Sequence, residues 1–175
     1  MTKKQIKKLL SDLSDELNSV GINGEVGVVG GAAMVLGFNA REATKDVDAI
    51  FEPAEKVRKA AAAVGRRNNI DTDWLNDAVK GFLPRPEARL EKTVVFQTPS
   101  LLVWVPDPRY MFAMKAMSAR AGTKDTDDLM ILIKAAGINS AKDGIDLIAD
   151  YYPDRIIPTK TKFFIEETFQ KMGIF

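Results

Sequence analysis

An apolar run ends in two glycines, Gly30 and Gly31, and a later strand-like run carries two carboxylates, Asp46 and Asp48, with only Val47 between them. Glycines at the head of a helix let backbone amides approach a phosphate with no Cβ in the way, and the helix N-terminus adds positive potential. Aspartate is a poor strand former, and two on one face of a pleated strand repel each other. A divalent cation relieves that repulsion. Together the two features predict a sheet edge that holds a triphosphate by its backbone and a metal by its aspartates, the parts needed for phosphoryl-type transfer to an activated hydroxyl.

Composition narrows the chemistry further. The chain has no cysteine and no histidine. That removes thiolate nucleophiles, imidazole bases and zinc sites built on sulfur or nitrogen, and with them Ser-His-Asp hydrolases, cysteine proteases and H-E-x-x-H metalloproteases. Any metal must be held by oxygen, which points to Mg²⁺ or Mn²⁺, completed by water and substrate phosphates.

These residues need elements to position them. Residues 3 to 20 place Ile6, Leu9, Leu10, Leu13, Leu17 and Val20 at helical spacing, predicting an amphipathic helix that stops at Gly21. Glu25 to Val29 reads as a short buried strand, Gly30-Gly31 as the turn after it, and Ala32 to Gly37 as a small-residue helix start that can lie close to a sheet. Lys45 to Phe51 is the second strand, with Asp46 and Asp48 on one side and Val47, Ala49 and Phe51 facing the core. Pro53 opens an alanine-rich helix ended by Gly65 or the Asn68-Asn69 pair. A short helix is expected over DTDWLNDAVKGF, residues 71–82, then turns at Pro84 and Pro86. Thr93 to Gln97 and Leu101 to Val105 read as a hairpin. From Pro108 onward the pattern is helical, with breaks at Gly122, Gly137 and Pro153.

The expected fold is therefore α+β: a small mixed β-sheet with flanking helices over residues 1–107, followed by a C-terminal helical part over 108–175 packed on that core. With 25 Lys and Arg against 24 Asp and Glu and 46% hydrophobic residues, the chain reads as a globular protein with no built-in demand for a polyanion. No apolar run approaches the ~20 residues that span a bilayer, and the charged N-terminus lacks a signal-peptide core, so no membrane partner and a cytoplasmic location are the expectations.

The order G-G then D-x-D, with Arg41 and Thr44 just before the aspartates, resembles the signature of the nucleotidyltransferase superfamily that includes polymerase-beta-like enzymes. It is closer to a bacterial branch related to abortive-infection type II toxins and nucleotidyltransferase-like proteins of similar length. DWLN (Asp73 to Asn76) and YMFAMKAMSAR…KDTDDL (Tyr110 to Leu129) carry that likeness, which covers roughly residues 25 to 135. The resemblance implies transfer of a nucleoside monophosphate from a nucleoside triphosphate with loss of pyrophosphate. By the same likeness, Gly30 and Gly31 border the incoming phosphates together with Arg41 and Thr44, Asp46 and Asp48 bind the metal, Lys115 faces the nucleotide, and Asp125 and Asp128 match a K-D-x-x-D-L element. Polymerase-like members carry a third carboxylate on a later strand, and the corresponding run here, SLLVWV, has none. Either Asp128 or, second, Asp125 takes that role from a helix, or catalysis is weak or absent.

Each residue also has a plainer reading. Gly-Gly is a common tight turn, and Arg41 can pair on the surface. Lys115 sits in a Met-rich stripe and can snorkel from a core helix. Asp125, Asp127 and Asp128 suit a helix N-terminus, and Trp74 and Trp104 read as packing residues. Three functional classes stay open at this point. One is a transferase acting on RNA or a protein, with an antitoxin or a second copy as further partner and Arg66-Arg67, Arg85/Arg89 and Lys160/Lys162 as basic clusters. The others are a small-molecule transferase of the antibiotic-modifying kind and an inactive nucleotide- or protein-binding relative.

Overall fold

The computed structural model of the chain describes residues 1–118 and 125–174. Its backbone divides into two compact units, one of residues 1–81 and 92–106, the other of 82–91 and 107–175.

The first unit is built on a five-stranded mixed sheet. Its strands are β1 (Gly24–Val28), β2 (Val47–Glu52), β3 (Leu75–Asn76), β4 (Lys92–Gln97) and β5 (Leu101–Pro106), in the order β3-β2-β1-β5-β4. β2 runs antiparallel to the central β1, and β5 runs parallel to it. The predicted hairpin is present as β4–β5, with a register shift between Val94 and Phe96. Helix α1 (Lys3–Ser19) starts at a Thr2–Gln5 capping box and buries Ile6, Leu9, Leu10, Leu13 and Leu17. Val20, expected in that stripe, instead follows the helix and is 63% exposed, because Gly21 turns the chain there at φ +66°. Helix α2 (Gly30–Leu36) follows β1 and α3 (Ala54–Arg67) follows β2. Asn68 ends α3, not Gly65, where an added Cβ would lie 2.7 Å from the Asp71 carbonyl oxygen.

Two boundaries differ from expectation near the aspartates. β2 starts at Val47, so Asp46 sits in the turn just ahead of it, and both glycines belong to α2 rather than to a turn before it. A larger correction concerns residues 71–82. No α-helix forms there: Leu75 and Asn76 make an edge strand parallel to β2, and residues 78–82 form a 3₁₀ turn. The Val47 amide donates to the Trp74 carbonyl at 2.7 Å and the Trp74 indole N–H donates to the Ala61 carbonyl at 2.9 Å. Those long-range bonds outweigh the local helical pattern.

The second unit contains α4 (Pro108–Ser118), α5 (Asp125–Ala136), α6 (Ala141–Tyr151) and α7 (Thr159–Lys171), preceded by the strap 82–91. Gly137 ends α5 at φ +65°, as its sequence position suggests; the expected break at Gly122 lies outside the described residues. Phe112, Leu129, Leu132, Ile148, Ile165 and Phe169 form its core. Among the described residues, no helix is long and apolar enough to cross a membrane.

Candidate active site

The face of the sheet that carries Asp48 follows from the register. Val47, Ala49 and Phe51 are buried, so Asp48, Ile50 and Glu52 point the other way. Pairing of Gly27 with Ile50 and with Trp104, and of Glu25 with Glu52 and Leu102, puts Glu25, Gly27, Leu102 and Trp104 on that same face. Trp104 and Leu102 lie on β5, one strand beyond β1 and level with Ile50 and Glu52, and β5 carries no carboxylate. Trp104 lies flat against Gly27, where an added Cβ would meet the ring at 2.4 Å. Its Nε1 donates to Glu25 at 2.7 Å, and Lys92 Nζ stands 4.5 Å from the indole centroid and 2.7 Å from the same carboxylate. The Lys92 and Trp104 hydrogen bonds hold the Glu25 carboxyl below its ordinary value.

At the head of α2 the chain makes a close cluster. The Val29 amide donates to the Asp48 carbonyl at 2.9 Å, which pins the end of β1 to the start of β2. Gly30 then takes φ +60°, and a Cβ there would lie 2.9 Å from Asp48 Oδ2. A Cβ on Gly31 would lie 2.7 Å from Thr44 Oγ1 and 3.3 Å from Arg41 Nη1. Gly30 is favoured by its left-handed backbone, and at both positions a Cβ would force a neighbouring side chain to move. Val29, the N-cap residue, offers the helix no side-chain acceptor of its own.

The loop from 38 to 46 is held from outside. Ala40 N–H donates to the Met34 carbonyl at 2.8 Å, Lys3 Nζ to Asn39 Oδ1 at 2.7 Å, and Thr44 N–H to the Met1 carbonyl at 2.9 Å, beside an antiparallel bridge between Thr2 and Ala43. Gly30, Gly31, Arg41, Thr44, Asp46 and Asp48 are all partly exposed, while Val28, Val29, Ala32, Ala33, Val47 and Ala49 behind them are buried. Backbone, guanidinium, hydroxyl and carboxylate thus converge at one accessible edge. The first chain segment, tied to this loop, is a positioning feature with no local sequence signal.

A chain with this edge is similar over residues 4–138 to the model of a family of nucleotidyltransferases of unknown function, DUF6036. The chain belongs to that family. No curated protein and no solved structure matches it. The nucleotidyltransferase resemblance seen in the sequence therefore holds at the level of the family, and the α+β fold with its C-terminal helices agrees with it.

The remaining sequence candidates meet within the second unit. Lys115 Nζ lies 2.7 Å from Asp125 and 2.7 Å from Asp128. Lys115 is 9% exposed and Asp128 1%, whereas the Asp125 side chain keeps 21%. The lysine does not snorkel to solvent. It neutralises the acidic first turn of α5 from the neighbouring helix α4. Among the described residues, no group of three or more carboxylates forms a metal cage.

Proposed function

We propose that this protein is a metal-dependent nucleotidyltransferase that moves a nucleoside monophosphate from a nucleoside triphosphate to a hydroxyl of RNA or protein. The observation that carries the reading is the glycine pair packed against Asp48, Thr44 and Arg41, where a Cβ at either position would stand under 3.0 Å from one of those side chains.

The donor set fits a hard cation. Asp46 and Asp48 offer two carboxylates at an accessible edge, which suits Mg²⁺ or Mn²⁺ because such ions take one or two carboxylates and complete their shell with water and phosphate oxygens. When bound, the ion supplies positive charge against the triphosphate and the developing pyrophosphate. The first-turn amides of α2 donate to phosphate oxygens, Thr44 adds a hydroxyl donor, and Arg41 adds a fixed positive charge. The acceptor oxygen bonds to the α-phosphorus as the bond to the bridging oxygen breaks, and pyrophosphate departs. A carboxylate takes the hydroxyl proton. Asp128 and, second, Asp125, the sequence candidates for that role, belong to the second unit, where Lys115 pairs with both.

A second reading, nucleotide binding without transfer, draws on β5, where Leu102 and Trp104 occupy the face that Asp48 shares. Incubation with each α-labelled nucleoside triphosphate, Mg²⁺ and total RNA or protein separates the two. Transfer should appear with the native chain and vanish in Asp46→Asn/Asp48→Asn while its circular dichroism stays native. Label transfer by the double variant refutes the assignment; nucleotide binding with no transfer by the native chain establishes the second reading.

A further inference from the structure

The second unit contains a cavity of about 540 Å³ lined by the strap 82–91, Asp107 and helices α4 to α6. Its wall is built rather than draped. At one end of the strap, Arg85 N–H donates to the Tyr151 carbonyl at 3.2 Å and the Tyr152 hydroxyl donates to the Phe82 carbonyl at 2.6 Å. At the other, Glu91 and Asp107 exchange bonds: Asp107 N–H to the Glu91 carbonyl and Glu91 N–H to Asp107 Oδ2, both 2.9 Å. A site fixed at both ends loses little entropy on binding.

Three arginines line this cavity, and their charges are not equally committed. Arg89 is paired with Glu91. Asp107 spends Oδ2 on Glu91 N–H and Oδ1 on the amides of Arg109 and Tyr110. Arg85 and Arg109 have no ion pair among the described residues, and both face solvent at the cavity. Tyr151 also lines it: the residue is only 5% exposed, and its hydroxyl oxygen is not among the buried polar atoms, so it is open at the cavity. Burial raises the Tyr151 phenol, so it remains a donor at neutral pH. Two guanidinium forks and a phenol are a donor set for an oxyanion, in a lining whose three arginines are balanced by Glu91, Asp107 and Asp150. Leu147 and Ala135 give an apolar wall, and Asp150 supplies an acceptor beyond it, where it also lines an adjoining cavity of about 340 Å³ with Asp143 and Asp146.

We infer that this cavity binds a small hydroxylated phosphomonoester, its phosphate on Arg85, Arg109 and Tyr151 and a hydroxyl on Asp150. The ligand class is that of a sugar phosphate. None of the lining residues belongs to the first unit, so the site stands independently of nucleotide transfer.

The test is calorimetric titration of the full chain in EDTA and low salt with ribose 5-phosphate, inorganic phosphate and ribose. Ribose 5-phosphate should bind saturably, with inorganic phosphate about tenfold weaker or more for want of the hydroxyl and wall contacts, and ribose silent. Arg85→Gln/Arg109→Gln should weaken binding by about a hundredfold and Tyr151→Phe by about fivefold. Both arginine side chains are exposed and unpaired, so the double variant keeps its circular dichroism. Asp46→Asn/Asp48→Asn should bind as the native chain does. The inference is overturned if ribose 5-phosphate gives no saturable heat, if it binds the arginine variant equally well, if inorganic phosphate binds as tightly, or if the Asp46/Asp48 variant loses it.

Discussion

Gly30→Ala probes the junction between fold and site in one substitution. The backbone there holds φ +60°, and moving a residue with a Cβ into the left-handed region costs roughly 1–2 kcal/mol. The new Cβ would also stand 2.9 Å from Asp48 Oδ2, a contact relieved only by turning the carboxylate. That adds about 1 kcal/mol, the lower end of overpacking costs, because a single short side chain must give way. The sum, about 2–3 kcal/mol, corresponds to a fall in Tm of roughly 4–12 °C for a chain of this size. Urea and thermal unfolding read the total, and a double-mutant cycle with Asp48→Ala separates the two parts. Removing the carboxylate should return about 1 kcal/mol of the loss while leaving the backbone cost, a coupling well above the scatter of independent sites. A Gly30→Ala protein whose Tm moves by less than ~1 °C, or a cycle with no coupling, would show that neither the left-handed turn nor the approach of Asp48 is as described.

Two further outcomes follow from the ion pairs. Lys115→Met removes the ammonium from between Asp125 and Asp128 and should cost about 3 kcal/mol in urea unfolding, partly regained in Lys115→Met/Asp128→Leu; a loss below ~1 kcal/mol would make the triad a surface arrangement in energetic terms. Glu25 titrates below its ordinary 4.5 because Lys92 and Trp104 bond its charged form, so its contribution is complete above that value and disappears as pH falls through the lowered one. Glu25→Gln should therefore flatten the acid limb of stability below the ordinary carboxylate range, with little change in its slope near pH 7, and an unchanged acid limb would contradict the bonding seen around Trp104.

What sequence reveals here tracks how local each cause is. The stripe from Ile6 to Leu17, the alanine-rich α3 and the hairpin around Thr98-Pro99-Ser100 are set by neighbours in the chain, and each was legible. Residues 74–76 were not, because their strand state depends on Val47 and Ala61, which lie outside that segment. The parallel pairing of β1 with β5 likewise rests on contacts no local pattern encodes. At the site, Gly30, Gly31, Asp46 and Asp48 announce themselves by residue type. That Gly31 packs on Thr44 and Arg41 emerges only when the loop is folded back and tied to the start of the chain. Arg85, Arg109 and Tyr151 come from three separate segments with no common spacing, so their cavity has no sequence signature.

The strap 82–91 has a consequence for heredity. The polypeptide leaves the sheet-bearing body after Gly81, re-enters it at Lys92 and departs again after Pro106. One recombination breakpoint anywhere in the gene would therefore strand a piece of one body on the other: a cut before residue 82 takes the β4–β5 hairpin away with the helices, and a cut after 106 leaves Phe82 and Glu91 without Tyr152 and Asp107. A single crossover therefore cannot exchange either body whole for a relative's.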